Sequence, residues 1–487
     1  MKETLSFKQL EQYSLNKIER LQRHRFRATC AVMLPNVPAY ARMFRQHNVD
    51  PAKLKKIEDW RDAGLPLIKK ATYMKKPFDY VVQVSPREAF DTYFDYLYAQ
   101  RFDAGLELWV RSLFFLSRVK NDVKSFFMPK MPAFSGGTES GKPTPVLLTG
   151  KQKKNLHEIL ATTQELIAPL LPKNKTGMNL FPYAPHLGWH AVHIALDIAA
   201  DLNLHTAAGG VIPTAKLAEM AKEFKPTIFA GMGDYIRNRF LIVLQKEKIR
   251  LQENVLFING ATKLYDAERK QIREAAKSLG AKAEVIDFFG ASELKEDIMP
   301  ECRPFSGFHH IAPLSNIIKT VNVERVSKEF ITEWDFAENG YLATWNIDGA
   351  GTLLEGYVLG DTVERVEREK CKNCGLNVER FFNISRIKEA EAQLKLTGMI
   401  EEKVKGSRIN LTALRDGLLG CAGVKEAQII LRKSALTVNI ALNSIAGKRQ
   451  AMEFLKKLEV TPRVRFISLE KLLGENELKF KGIIIER

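Results

Sequence analysis

The sequence predicts an α/β protein whose main sheet is largely parallel, followed by antiparallel strands and a small α+β domain at the C-terminal end. Three observations predict it. Residues 177–290 alternate apolar strands with helical stretches, the pattern of a parallel sheet covered by helices. From about residue 330 the strands read as antiparallel, in GYLATWNID and TLLEGYVLGD. A charge-rich connector, RIKEAEAQLK, then leads to AQIILRK, LTVNIALN, AMEFLKKLE and RVRFIS, which read as a small domain with an antiparallel sheet.

Each element has a local reason. Residues 1–125 are mostly helical and basic, and LPNVPAYARMFRQHNVDP marks its turns with proline. Residues 151–171 carry helical periodicity. GMNLFPYAP reads as strand then loop, HAVHIALDIAADL and KLAEMAKEF as helices, and TIFAG as a strand. NVLFING is a strand, DAERKQIREAAKSLG a helix and EVIDFFG a strand. Parallel sheets bind ligands at the carboxyl ends of their strands, so FING and DFFG are expected to aim loops at one crevice.

The 487 residues suffice for two or three domains. Hydrophobic residues make up 45% and charged residues 27%, an ordinary globular balance. No apolar run reaches the roughly 18 residues a membrane helix needs. MKETLSFKQLEQYS has no apolar core, so a cytoplasmic chain without a secretory signal is expected. The net charge of +17 suits phosphate-bearing partners. The basic residues are dispersed, which argues against nucleic acid. Five cysteines, an odd number, do not make a disulfide framework.

FSGGTESGKPTPVLLT, residues 134–149, has Gly136, Gly141 and Lys142 at Walker A spacing, but Pro143 replaces the magnesium-binding hydroxyl. A Walker A loop runs straight into a helix. Here Pro143, Pro145 and a strand-like run follow. A phosphate cradle of another kind remains: glycines let backbone N–H groups approach phosphate, Ser135, Thr138 and Ser140 add hydroxyls, and Lys142 adds charge. Cys371 and Cys374 form the one pair with metal-ligand spacing.

SGGTESGKPT resembles the phosphate loop of the adenylate-forming superfamily, which includes acyl-CoA synthetases, luciferases and adenylation domains. Phe289-Gly290-Ala291-Ser292-Glu293 resembles its aromatic-Gly-x-[Ser/Thr]-Glu motif, and Tyr357-Val-Leu-Gly360-Asp361 its Tyr-x-x-Gly-Asp motif. The phenylacetate–CoA ligase branch is similar over nearly the whole chain, including LPNVPAYARMFRQHNVDP, LPLIKKATYMKK, FKPTIFAGMGDYI, LFINGATKLYDAERKQI, ECRPFSGFHH and CKNCG.

The resemblance implies a large multi-sheet N-terminal adenylation domain, residues 1–385, with a helical segment 1–125 and an α/β core 126–385. It implies a small mobile α+β domain at 386–487. The implied reaction joins a carboxylic acid to ATP, with Mg²⁺, and passes the acyl group to CoA. A carrier-protein thiol or an amine is the alternative acceptor. A non-catalytic nucleotide- or nucleic-acid-binding protein is the alternative class. Oligomeric state is left open.

By the same resemblance, Ser135, Gly136, Gly137, Thr138, Ser140, Gly141 and Lys142 hold the β- and γ-phosphates. Glu293 holds Mg²⁺. Gly260 and Ala261, with Phe289 opposite, sandwich the adenine, and Gly290, Ala291 and Ser292 are further ATP-binding residues. Asp361 accepts from the ribose hydroxyls. Arg386 and the hinge Lys388 lie in NISRIKEA, where Ser385 replaces the usual Gly; the rival alignment is LTGMIEE, with Met399 in place of the Arg. KVKGSRINL resembles the turn brought to the site for the second half-reaction. Lys479 falls on the catalytic lysine, with Lys481 as the alternative. Phe181, Trp189, His190 and Met232 line the acyl pocket. Cys302 and His309, or His310 in its place, join Cys371 and Cys374 as a structural zinc set. The phosphate loop is one residue longer than the usual Ser-Gly-Thr-Thr-Gly-Lys-Pro and carries Glu139; this form resembles the acyl-amido synthetases.

Overall fold

A computed structural model of the chain describes residues 4–135, 144–183, 186–209, 211–327, 329–386, 411–432, 435–456, 458, 461–474, 480 and 482–486. The chain forms two compact units. One is Met1–Leu171, Ala184–Asp201 and Ile286–Ile384, and the other is Pro172–Tyr183, Leu202–Val285 and Ser385–Arg487.

The first unit starts with helices, as the sequence predicts. Ser6 caps Phe7–Gln12 and Ser14 caps Leu15–Ala28, each accepting from the third backbone N–H. Pro38 opens Pro38–His47, and Asn48 closes it in the left-handed conformation at φ 53°. Tyr40, Phe44, Trp60, Tyr73 and Tyr80 pack edge to face or tilted behind these helices. All five are buried. Thr149 and Gln152 form a capping box that starts Gly150–Ile167.

This unit's main sheet contains Leu67–Ile68, Phe330–Phe336, Asn316–Val326, Gly340–Asn346 and Glu355–Val363 in that order. The long strands pair antiparallel. Antiparallel pairing is present well before residue 330, in Leu67–Ile68 and in Asn316–Val326. Ile68 pairs with Phe330 on one side and Tyr357 on the other, which curls the sheet toward closure.

The second unit holds the parallel strands, in the order Leu202–Leu204, Thr176–Leu180, Ile228–Gly231 and Asn254–Gly260. Thr214–Phe224 and Asp266–Ser278 are the helices predicted beside them. The strand Lys282–Gly290 begins in this unit and ends in the other, where it pairs antiparallel with Ile298–Pro300.

The four-stranded sheet at the C-terminal end differs from expectation. Val424–Arg432 and Ala435–Leu442 are an antiparallel hairpin, but Ile483–Glu486 and Arg463–Phe466 add to its edges in parallel. Helix Ile445–Leu455 lies in the connection from Ala435–Leu442 to Arg463–Phe466, the crossover that this parallel pair requires, while Leu411–Gly420 precedes the sheet. Leu414, Leu418, Ile429, Val438 and Ile440 are the core beneath them.

Candidate functional site

Pro129–Ser135 and Thr144–Thr149 form an antiparallel hairpin, with Phe134 opposite Pro145 and Ser135 opposite Thr144. The glycine-rich loop is therefore the connection between two strands. A helix starts only after the second strand, at Gly150, so no helix N-terminus follows Lys142 as a Walker A loop requires. Gly136, Gly137, Thr138, Ser140, Gly141 and Lys142 lie outside the described residues, as do Lys388, Lys479, Lys481 and the side chains of Ser135 and Arg386. The loop's first anchor is described. The Phe134 carbonyl accepts from Ser292 Oγ at 3.3 Å and lies 3.0 Å from His186 Nδ1. Ser292 precedes Glu293, so this carbonyl ties the hairpin to the second motif.

Glu293 sits in the short turn Ser292–Leu294, only 4% exposed. Its Oε1 accepts from Tyr357 Oη at 3.2 Å and faces Lys70 Nζ at 3.7 Å. Two motifs 64 residues apart thus meet at one carboxylate. Both contacts fall on Oε1. Among the described residues Oε2 has no hydrogen bond, which suits a hard cation seeking a carboxylate oxygen. Tyr73 packs edge to face on Tyr357 at 6.0 Å, and burial pushes its phenol up. Sequence reasoning missed Lys70 and Tyr73. They lie in LPLIKKATYMKK, where nothing separates one lysine from its neighbours.

Gly360 adopts φ 88°, open only to glycine at low cost. It falls where pairing shifts between Ala343–Val358 and Tyr341–Thr362. A bulge there redirects the next side chain, and Asp361 is 2% exposed. Phe289 and Gly290 end their strand opposite Met299 and Ile298, and Phe289 packs on Phe308 at 5.9 Å. Ala291 is half-buried.

In the second unit the order of the parallel strands reverses at Thr176–Leu180, which has Leu202–Leu204 on one side and Ile228–Gly231 on the other. Such a reversal opens a crevice at the carboxyl ends. Phe181 and Met232 follow those ends directly, and both are buried. Gly231 is required there, because a Cβ would meet Leu180 Cβ at 2.9 Å. Gly260 ends the next strand, and Ala261 turns the chain at φ 63°. The Asn259 side chain braces the turn, donating to Thr262 O at 2.7 Å and accepting from Gly233 N at 2.6 Å. Trp189 and His190 belong to the first unit and touch edge to face at 5.3 Å. Burial, then His193 and Lys153, lower the His190 pKa.

Cys302, His309, Cys371 and Cys374 converge, with ligand atoms all within 4.8 Å. Cys302 and Cys371 sulfurs are 3.8 Å apart, and Cys374 Sγ is 3.4 Å from His309 Nε2. Sulfurs bound tetrahedrally to one zinc at about 2.3 Å are separated by about 3.8 Å, whereas a disulfide is about 2.05 Å long. His309 Nδ1 lies 3.2 Å from Pro300 O and 3.0 Å from Gly307 O, which places the ring proton there and turns Nε2 to the sulfurs. Hydrogen bonding with Cys302 leads the shifts of the thiols, holding Cys371 well below and Cys374 well above the ordinary range. His310 points elsewhere, with Nε2 2.9 Å from Asp297 Oδ2.

No family model matches the chain, and no curated protein sequence does. Solved structures do. The chain is similar to 2-hydroxyisobutyryl-CoA ligase in the postadenylation state with R3-HIB-AMP, at TM-score 0.66 and 15% identity, over 98% of this chain and 91% of that one. The same ligase in an open conformation with 2-HIB-AMP and CoA gives TM-score 0.55 at 15% identity, over 98% and 93%. In its thioesterification state, again with 2-HIB-AMP and CoA, it gives 0.52 at 15% identity, over 98% and 92%. The chain has the fold of a CoA ligase. That α/β multi-sheet architecture extends over nearly its full length.

Proposed function

We infer that the chain activates a carboxylic acid with ATP to an acyl-adenylate and passes the acyl group to a thiol, that of CoA. The observation that carries this reading is the meeting of Glu293 with Tyr357 beside the hairpin that bears the glycine-rich loop. The fold shared with CoA ligases supports it.

The substrate carboxylate attacks the α-phosphorus of ATP, and pyrophosphate leaves. Charge spreads over phosphate oxygens, so positioning and electrostatics do most of the work. Ser135 to Lys142 hold the β- and γ-phosphates. Glu293 offers Oε2 to Mg²⁺, which neutralises phosphate charge when bound. Tyr357 fixes that carboxylate, and Lys70 adds positive charge beside it. Gly260, Ala261 and Phe289 are the adenine contacts, and Gly290, Ala291 and Ser292 are further nucleotide contacts. Asp361 accepts from the ribose hydroxyls. Lys479 contacts the substrate carboxylate and α-phosphate, and Arg386 contacts the nucleotide. Phe181 and Met232 of the second unit are candidate acyl-group contacts, as are Trp189 and His190 of the first; aromatic contacts suit an aryl acid.

Residues 386–487 form the small domain that rotates about Lys388 between half-reactions. The last segment of the second unit begins at Ser385, beside that boundary. Cys302, His309, Cys371 and Cys374 hold a structural zinc. The lengthened phosphate loop favours one second reading of the acceptor, an amine yielding an amide.

The test is acid-dependent pyrophosphate release from ATP and Mg²⁺ across aryl and aliphatic acids. Release with one acid class is expected, and Glu293→Ala is expected to lower it by at least about a hundredfold, the scale of losing one electrostatic group at the reacting centre. Release that does not depend on Glu293 would overturn the assignment. Product formation with CoA or with amines then distinguishes the acceptors.

A further inference from the structure

The first unit carries an apolar surface that the proposed reaction does not use. Helix Phe102–Phe114 buries Ala104, Gly105 and Leu108 and turns the opposite face outward. Phe102, Leu106, Trp109, Val110, Leu113 and Phe114 all lie on that outer face, with Phe114 74%, Phe102 63% and Leu113 60% exposed. Their spacing of three and four residues places them on one stripe of a helix with 3.6 residues per turn. Scattered exposed apolar residues need no explanation, but a contiguous stripe of this size does.

The stripe ends in a tip. Phe115 leaves the helical conformation at φ −134°, ψ 45°, and Leu116–Phe127 starts at once. Leu113, Phe114, Phe115 and Leu116 are therefore consecutive at the corner of a helical hairpin, each at least half exposed. The two arms are tied by Arg111 Nη2 to Asp122 Oδ2 at 2.8 Å. The second arm buries Val119, Val123 and Phe126, which anchors the hairpin to the unit.

Charge decides what covers this tip. Asp103 accepts from Arg101 Nε at 2.9 Å, and Asp122 pairs with Arg111, so two of the three acids on the hairpin are neutralised locally. Glu107 remains. Against it, Arg118, Lys120 and Lys124 are exposed on the second arm, and the Arg118 guanidinium lies 5.4 Å from the Phe115 ring centre. An apolar edge of Phe, Leu and Trp flanked by cations is the pattern of a helix lying at a lipid interface. Each lysine or arginine beside an anionic leaflet strengthens attachment about fivefold. The net charge of +17 acts in the same sense over a longer range. No described helix is long and apolar enough to cross a bilayer, so the attachment is at the surface.

We propose that the hairpin Phe102–Phe127 docks the chain on an anionic lipid bilayer, inserting Leu113 to Leu116 among the acyl chains while Arg118, Lys120 and Lys124 face the headgroups.

The test uses the full chain and flotation with vesicles of phosphatidylcholine, with and without phosphatidylglycerol. Co-flotation with the anionic vesicles is expected, together with a blue shift of tryptophan emission from Trp109. Phe114→Glu and Leu113→Glu are expected to weaken attachment at least about tenfold. Lys120→Glu with Lys124→Glu is expected to remove the preference for the anionic vesicles. All four side chains are exposed, so the variants should melt like the parent. Leu106→Ser supplies a milder variant should a charged one misfold. Failure of the parent to float with either vesicle overturns the proposal, as does flotation that Phe114→Glu and Leu106→Ser leave unchanged. Lipid-free self-association seen by sedimentation velocity and abolished by Leu113→Glu, without flotation, also overturns it, because a second copy would then cover the tip.

Discussion

Cys302, His309, Cys371 and Cys374 in the first unit, and Asp234, Glu268 and Glu426 in the second, each bring ligand atoms within 4.8 Å of one another. Distance alone would make both of them metal sites. The difference lies in what already balances their charge. Arg237 Nη2 reaches Glu268 at 3.1 Å and Asp234 at 3.3 Å, and it also pairs with Glu426. Arg415 Nη2 reaches Glu268 at 3.0 Å and Glu426 at 2.8 Å. Two guanidiniums stand where a divalent ion would stand, and their planar forks fit carboxylates. In the cysteine set the ligand atoms meet one another, and thiolates brought together call for a soft cation. Clustered ligand atoms thus mark a metal site only where the protein supplies no cation of its own.

The largest expected effect tests the metal half of this contrast. The purified chain is expected to contain close to one zinc by elemental analysis, and Cys371→Ser close to none, with a lower melting temperature. Structural zinc sites carry on the order of 10 kcal/mol of apparent binding free energy. A parent chain free of zinc after expression in zinc-supplemented medium would break the comparison. Next in size is the ion network. Arg415→Ala leaves Glu268 and Glu426 buried with less compensation, and is expected to cost about 3–5 kcal/mol in urea unfolding. Added Mn²⁺ should not restore it; restoration would show that the carboxylates do accept a metal.

The smallest effect sharpens the charge balance of the second cluster. Burial, then Glu268, push the Asp234 carboxyl up to about 7 against Arg237 and Arg415, with Glu426 adding to the rise. The folded chain therefore holds a proton that the unfolded chain releases above about 3.8. The corresponding stabilisation is complete below that value and is lost as pH rises through 7. Asp234→Asn stays neutral at every pH, so its unfolding free energy should fall less across this range. Parallel pH profiles for parent and variant would place the proton elsewhere in the network.

Much of the frame was legible in residue order. NVLFING is the strand Asn254–Gly260, and DAERKQIREAAKS is the helix Asp266–Ser278. Periodicity and caps are local, so such elements read directly. The strand Leu202–Leu204 escaped because three residues carry no periodicity. The parallel edges of the small sheet escaped because pairing direction depends on where distant segments dock. At the candidate site, Glu293 and Tyr357, each named in a motif by resemblance, meet. Lys70 was not legible, because its value comes from a 3.7 Å approach to a carboxylate more than two hundred residues away.

His309 and His310 show the division most plainly. The order of residues places two histidines after Gly307 and two cysteines at 371 and 374, and so names a ligand set with one member undecided. His309 ends the short strand Phe308–His309, and His310 follows it. Folding turned His309 to the sulfurs and His310 to Asp297. Chemical type is written residue by residue along the chain. Partnership, burial and charge balance are set by what other segments bring within a few ångströms, and no local pattern records that.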